Sequence, residues 1–135
     1  MILFPNALRQ LLLGIPSLTA VAQDRIYNTE LPMGLQYPAL CFWCLKDDMQ
    51  QYLDGSTGGT TTQIWRLDLW GLSGEEVELM RLAIRNNVLG FKGDIQIADE
   101  SLHIQSVIFL DGRSVQYSGE TKIYGWELDL EFSYY

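Results

Sequence analysis

The sequence is poor in the residues that metal, redox and nucleic-acid chemistry need. It has one histidine, His103, and two cysteines, Cys41 and Cys44. A structural zinc ion takes about four nitrogen or sulfur ligands, so that class is disfavoured from the outset. Two cysteines make no disulfide framework, which fits a reducing compartment. Only 9 Lys and Arg stand against 17 Asp and Glu, a net charge of −8. Such a chain lacks the cations that neutralise a row of phosphates or hold a protein on anionic lipid. No stretch of about 20 apolar residues exists to span a bilayer. The opening Met1-Ile2-Leu3-Phe4-Pro5-Asn6 has no basic flank, and Asn6, Arg9 and Gln10 interrupt its apolar run, so no secretory leader is expected.

What remains is a globular composition. Of 135 residues, 47% are hydrophobic and 12% aromatic, spread along the whole chain. That length suits one domain, residues 1–135, with a core that needs no staple. Ala7, Leu8, Leu11, Leu12 and Ile15 form a helical stripe that opens at Pro5 and stops at Gly14 and Pro16. Residues 17–21 allow one more short turn. A brief strand is expected at Arg25-Ile26-Tyr27, and long strands over 37–45 and 61–70. Residues 46–60, with Gly55, Gly58 and Gly59, read as a flexible excursion between those two strands. Ser73-Gly74-Glu75-Glu76 is a capping box, and the helix it opens buries Val77, Met80, Ala83, Ile84 and Val88 before stopping at Gly90. Residues 91–101 read as irregular. A strand follows over 102–110, with Leu102, Ile104, Ile108 and Leu110 on one side, then a turn at Asp111-Gly112. From Ile123 to Tyr134, apolar and polar residues alternate with period two, the mark of a half-buried antiparallel strand. The class is therefore α+β: a mostly antiparallel sheet with two main helices packed on one face.

No constellation for catalysis emerges. Cys41 and Cys44 lie three apart inside a strand, where they face opposite sides, so they read as structural thiols rather than a redox pair. His103 has no nucleophile placed beside it by a recognisable motif. Residues 55–60 lack the Lys-Ser/Thr ending and the following helix of a phosphate loop. Asp47, Asp48 and Asp54 match no calcium-loop spacing. Glu127, Asp129 and Glu131 share one face of the last strand and read as an acidic, solvent-facing row. No catalytic, metal or cofactor residue is assigned, and no enzymatic activity is expected.

The two central strands are apolar on both faces. Trp65, Leu67 and Leu69 oppose Ile64 and Trp70; Leu40 and Phe42 oppose Ala39, Cys41, Trp43 and Leu45. In a two-layer domain the second apolar face needs a cover, and a neighbouring subunit can supply one. The expected contact residues are Phe42, Trp43, Ile64, Arg66 and Trp70. A cover of helices on one side and the long loop on the other is the alternative.

The order of these pieces resembles the tail-terminator or tail-completion proteins of long-tailed bacteriophages. The pieces are the helix at Ala7–Leu12, then Arg25-Ile26-Tyr27, Leu31-Pro32, Tyr37-Pro38, the strand Gln63–Trp70 running into a capped Glu- and Leu-rich helix, and the alternating final strand. The long loop expected from Asp47 to Thr60 departs from that pattern. The resemblance implies a structural virion protein that forms a ring, commonly hexameric. It would cap the tail tube, stop its elongation and offer a joining surface to a head-side connector or stopper protein. DNA would pass through the lumen without specific binding, past an acidic inner wall; Glu127, Asp129 and Glu131 form an acidic face that meets either the lumen or solvent. Tyr52, Leu53 and Asp54 become candidates for contacting the tube protein. The implied location is the virion tail or neck, with assembly in the host cytoplasm and no membrane partner. The competing readings are a head-side neck ring and, from another class, a small homo-oligomeric enzyme or ligand-binding domain.

Overall fold

The structure, a computed structural model, describes residues 2–51, 57–117 and 121–135. Helix α1, Phe4–Leu13, carries Pro5 in its first turn, and Gly14 closes it by donating to the carbonyls of Gln10 and Leu11. Pro16 both prevents continuation and starts a second helix, α2, Pro16–Ala22. The described residues thus hold three helices, the short turn allowed at residues 17–21 being a full helix beside the two main ones expected. After β1, Ile26–Asn28, come β2, Ala39–Gln51, and β3, Thr57–Gly71. Helix α3, Gly74–Asn87, starts at Ser73, whose hydroxyl accepts from the Glu76 N–H at 3.2 Å. Three strands finish the chain: β4, Gly93–Ile97; β5, Glu100–Tyr117; and β6, Ile123–Tyr134.

One six-stranded sheet results, in the order β1-β2-β3-β6-β5-β4. Only β1 and β2 are parallel, and every other neighbouring pair is antiparallel. The helices lie on one face, as the α+β reading required. There α1 buries Phe4, Ala7, Leu8 and Leu12, and α3 buries Val77, Met80, Ala83 and Ile84. The sheet meets them with Leu40, Phe42, Trp65, Leu67, Leu69, Leu128, Leu130 and Phe132. Phe4 wedges the end of α1 into an aromatic group. Its ring stacks on Tyr134 at 4.3 Å and sits 5.3 Å from Trp65 and 5.2 Å from Phe132. Gln63 satisfies the polar rim of that group, its carbonyl accepting from Trp65 Nε1 and from the Tyr134 hydroxyl, each at 2.9 Å. Burial, then the nearby Asp47 and Cys44, push the Tyr134 hydroxyl up to about 12. Arg9, on the polar side of α1, donates to the Ile26 carbonyl at 3.0 Å and so ties the helix to the sheet edge.

Several local expectations need correction. Residues 46–51 and 57–60 are not a loop: Lys46 pairs with Ile64, Asp47 with Gln63 and Gln51 with Thr57, extending the β2–β3 hairpin. Backbone pairing needs no apolar side chain, so polar composition concealed it. Residues 93–97 form β4 rather than irregular chain. Asp111-Gly112 is no turn, since Asp111 pairs with Asp129 and Gly112 with Leu128 inside β5. Register shifts between Ile104 and Ser106 and between Phe109 and Asp111 also reset the alternation of β5. Val107 takes the core position, while Ile108 and Leu110 are 50% and 44% exposed.

Candidate assembly surface

The face of the sheet opposite the helices is built by register. Four cross-strand rows run over β2, β3, β6 and β5: Ala39, Trp70, Gly125 and Val115; Cys41, Asp68, Glu127 and Arg113; Trp43, Arg66, Asp129 and Asp111; Lys46, Ile64, Glu131 and Ile108. The two middle rows carry the charge. Arg66 grips Asp129 with two donors, Nε to Oδ1 at 2.8 Å and an Nη to Oδ2 at 3.2 Å. It also lies 3.8 Å from Glu127 and 5.5 Å from the centre of the Trp43 ring. Arg113 closes the row from β5, its Nε 2.6 Å from Glu127. Trp43 in turn donates its indole N–H to Asp68 at 3.1 Å.

Asp68 is the strained member. Its second carboxylate oxygen is buried without a hydrogen-bond partner among the described residues. Burial, with Glu127 and Asp129 close by, pushes its carboxyl above the usual carboxylate range, against the Trp43 hydrogen bond and Arg66, which pull it down. The Arg66 guanidinium is held above its ordinary value chiefly by the Asp129 hydrogen bond. The surface is thus a mixed-charge face with aromatic flanks, in which Arg66 and Arg113 sit among carboxylates that in places adjoin one another, as Asp68 does Glu127 and Asp111 does Asp129. Gly125 allows its close packing: a Cβ there would stand 3.1 Å from the Trp70 ring and 3.3 Å from the Leu69 carbonyl.

Trp43, Ile64, Arg66 and Trp70 all lie on this helix-free face, half-buried. Phe42 does not, and the expectation for it is corrected. Odd and even positions of a strand face opposite sides, and Phe42 falls on the helix side, fully enclosed by the chain's own core. Glu127 and Asp129 face the same way as Glu131, but both are paired with arginines, which the sequence could not reveal without the register. Tyr52, Leu53 and Asp54 lie outside the described residues. Near one end, Leu31, Leu35, Tyr37, Trp70 and Ile123 line a shallow apolar depression.

The other chemistry-bearing residues are dispersed. Cys41 is buried and Cys44 exposed, and both are free thiols raised above the ordinary value mainly by burial. His103 Nδ1 lies 2.7 Å from Asp94 Oδ1, across the β4–β5 pair, with the Tyr135 ring at 4.9 Å. Among the described residues no three His, Cys, Asp or Glu converge as a metal site, and no helix is long and apolar enough to cross a membrane. Sequence reasoning missed the exposed run Ile108-Phe109-Leu110, whose signal was four consecutive apolar residues, Val107 to Leu110, in a strand otherwise read as alternating.

No family model and no curated protein sequence matches the chain. Its fold does match a solved structure, a chain described as "Virion of native gene transfer agent (GTA) particle". The TM-score is 0.65 at 11% identity, over 95% of this chain and 90% of that one.

Proposed function

We propose that this chain is a structural virion protein of phage-like particles, and specifically a tail-terminator subunit. It would assemble into a ring, hexameric in the commonest form, that caps the tail tube, ends its elongation and presents a surface to a head-side connector or stopper. The observation that carries this reading is the nearly end-to-end match of its fold to a chain from a gene transfer agent virion. The helix-free face supports it, since Trp43, Ile64 and Trp70 are aromatic or apolar groups without a covering element among the described residues.

In this reading the chain does no chemistry. DNA crosses the ring without being gripped, consistent with the excess of 17 acidic over 9 basic residues. Because Arg66 and Arg113 neutralise Glu127 and Asp129, these two carboxylates would add little to repulsion of the genome. The tip residues Tyr52, Leu53 and Asp54 are proposed to meet the tube protein.

Electron microscopy of the purified chain, alone and mixed with separately purified tail-tube protein, tests the reading. Rings with a central hole that sit on tube ends are expected. Rings that bind only a head-side connector would move the protein to the head side of the neck. Discrete dimers that ignore both partners would overturn a virion role.

A further inference from the structure

Two open strand edges lie on opposite sides of the one sheet. β1 covers β2 only at Leu40–Phe42, so among the described residues the outer edge of β2 has no strand beside it from Trp43 onward. β4 covers β5 only at Glu100–Ile104, so among the described residues the outer edge of β5 has no strand beside it from Gln105 onward. There the Val107 carbonyl accepts from the Gly90 N–H at 3.1 Å. Backbone groups of alternate residues point to the same side of a strand, so Phe109 also turns its N–H and C=O outward.

These edges complement each other in direction and height. Each step from β2 through β3 and β6 to β5 is antiparallel, so β5 runs opposite to β2. A second copy, turned about an axis running along the strands, would therefore bring its β2 antiparallel to this β5. The register places Cys44 level with Phe109, through Trp65 and Leu130, and Lys46 level with Ile108, through Ile64 and Glu131. The apolar exposure falls in this same window: Ile108 is 50%, Phe109 49% and Leu110 44% exposed on β5, and Leu45 38% on β2. Beside Phe109 a groove of about 220 Å³ between α3 and the sheet, lined by Ile84, Leu89 and Leu130, is rimmed by Arg85 and by Arg81, which is paired with Glu78, while the β2 edge carries exposed Lys46 and Asp47 side by side. Uncovered apolar edges invite uncontrolled pairing and are usually blunted by charge or proline. Residues 105–110 contain neither.

We propose that the outer edge of β5 around Ile108–Leu110 pairs antiparallel with the outer edge of β2 around Trp43–Asp47 in a second copy of this chain. The sheet then continues from subunit to subunit. This rests on the self-association proposed above and names the surface that carries it. The contact joins two different edges of the same chain, so it propagates head to tail and closes into a ring when the rotation permits.

Cross-strand cysteines on one face approach within disulfide reach. Two variants sample the two faces: Phe109→Cys, with native Cys44 opposite, and Ile108→Cys with Lys46→Cys in a Cys44→Ser background. After mild oxidation, non-reducing gels should show a ladder of dimer, trimer and higher species up to the ring, absent from the wild type. A separate variant, Ile108→Lys, places a charge on the pairing edge at a position already half exposed. It should weaken association at least tenfold in sedimentation while the monomer unfolds as before. Rings seen by microscopy without a ladder from either pair, and unaffected by Ile108→Lys, would overturn the edge pairing yet leave the ring reading standing. Phe109→Cys dimers that persist after Cys44→Ser would mean β5 pairs with its own copy, which also overturns the proposal. A chain that stays monomeric at all concentrations would overturn both.

Discussion

Replacing Arg66 by methionine keeps most of the side chain's length but deletes the cation at the centre of the helix-free face. The side chains of Arg66 and Asp129 retain only 19% and 16% of their accessibility. Two unit charges about 4 Å apart attract by about 4 kcal/mol at an effective dielectric of about 20, before desolvation is subtracted. Breaking a fully buried pair from one side costs about 3–5 kcal/mol, and exposed pairs contribute about 0–1 kcal/mol. The pair here lies nearer the first limit, but solvent still reaches it, so the expected loss is about 2–3 kcal/mol. The loss arises mostly from Asp68, Glu127 and Asp129 left facing one another without their shared cation. Urea denaturation at neutral pH and fixed protein concentration measures it. In the double variant Arg66→Met/Asp129→Asn the two losses should be clearly less than additive. A loss below about 0.5 kcal/mol at neutral pH would place the pair in the class of exposed, nearly neutral ion pairs. Losses that add fully in the double variant would mean the arginine acts by packing on Trp43 rather than through its pair with Asp129.

Phe4→Ala should cost about 3–5 kcal/mol by emptying the wedge between Trp65, Phe132 and Tyr134, read as a lowered denaturation midpoint with loss of near-ultraviolet dichroism; a cost under about 1 kcal/mol would mean the end of α1 is not anchored there. Asp68→Asn should stabilise the chain at neutral pH by about 0.5–1 kcal/mol, since it removes a half-buried charge with one unpartnered oxygen and keeps an acceptor for Trp43. The sign follows from linkage. The folded carboxyl titrates above its unfolded value, so the wild type has its full stability in acid and loses part of it as pH rises through the folded pKa. The gain should accordingly vanish below the unfolded carboxylate range, and a gain that is independent of pH would refute the argument.

The parts legible in the sequence are those whose signal is local. Pro5, Gly14 and the Ser73 capping box mark helix ends by backbone chemistry that needs no distant partner, and the alternation from Ile123 to Tyr134 announces its own pairing. The parts that were not legible depend on long-range register. β4 offers only Ile95 and Ile97 among Gly93, Asp94 and Gln96, and becomes a strand because Leu102 and Ile104 on β5 pair beside it. Asp111 and Gly112 have turn composition, but β6 holds them extended, and Gly112 leaves room for the Phe109 ring, 3.1 Å from where a Cβ would stand. The site divides in the same way. That Trp43, Ile64 and Trp70 share a face follows from period two. That Arg66 and Arg113 meet Asp129 and Glu127 follows only from which residues the strands set side by side. Phe42 shows the cost of reading a two-sided strand without that knowledge, since either of its faces could have been the covered one.

The place of β6 in the sheet has a consequence for synthesis. It follows the other five strands in the sequence, yet it sits between β3 and β5, with Trp65 opposite Leu130 and Phe109 opposite the same residue. While the chain is still emerging, β3 and β5 have no common neighbour, and the sheet exists only as two separated pieces. Contacts so distant in sequence form late and slowly. A nascent or prematurely terminated chain therefore cannot display a finished helix-free face, because the rows that make it pass through β6. If copies of the chain associate as proposed, completeness of each copy becomes a condition of joining: a chain interrupted before Ile123 would expose raw strand edges to proteases and aggregation rather than offer a surface that passes for a sound one.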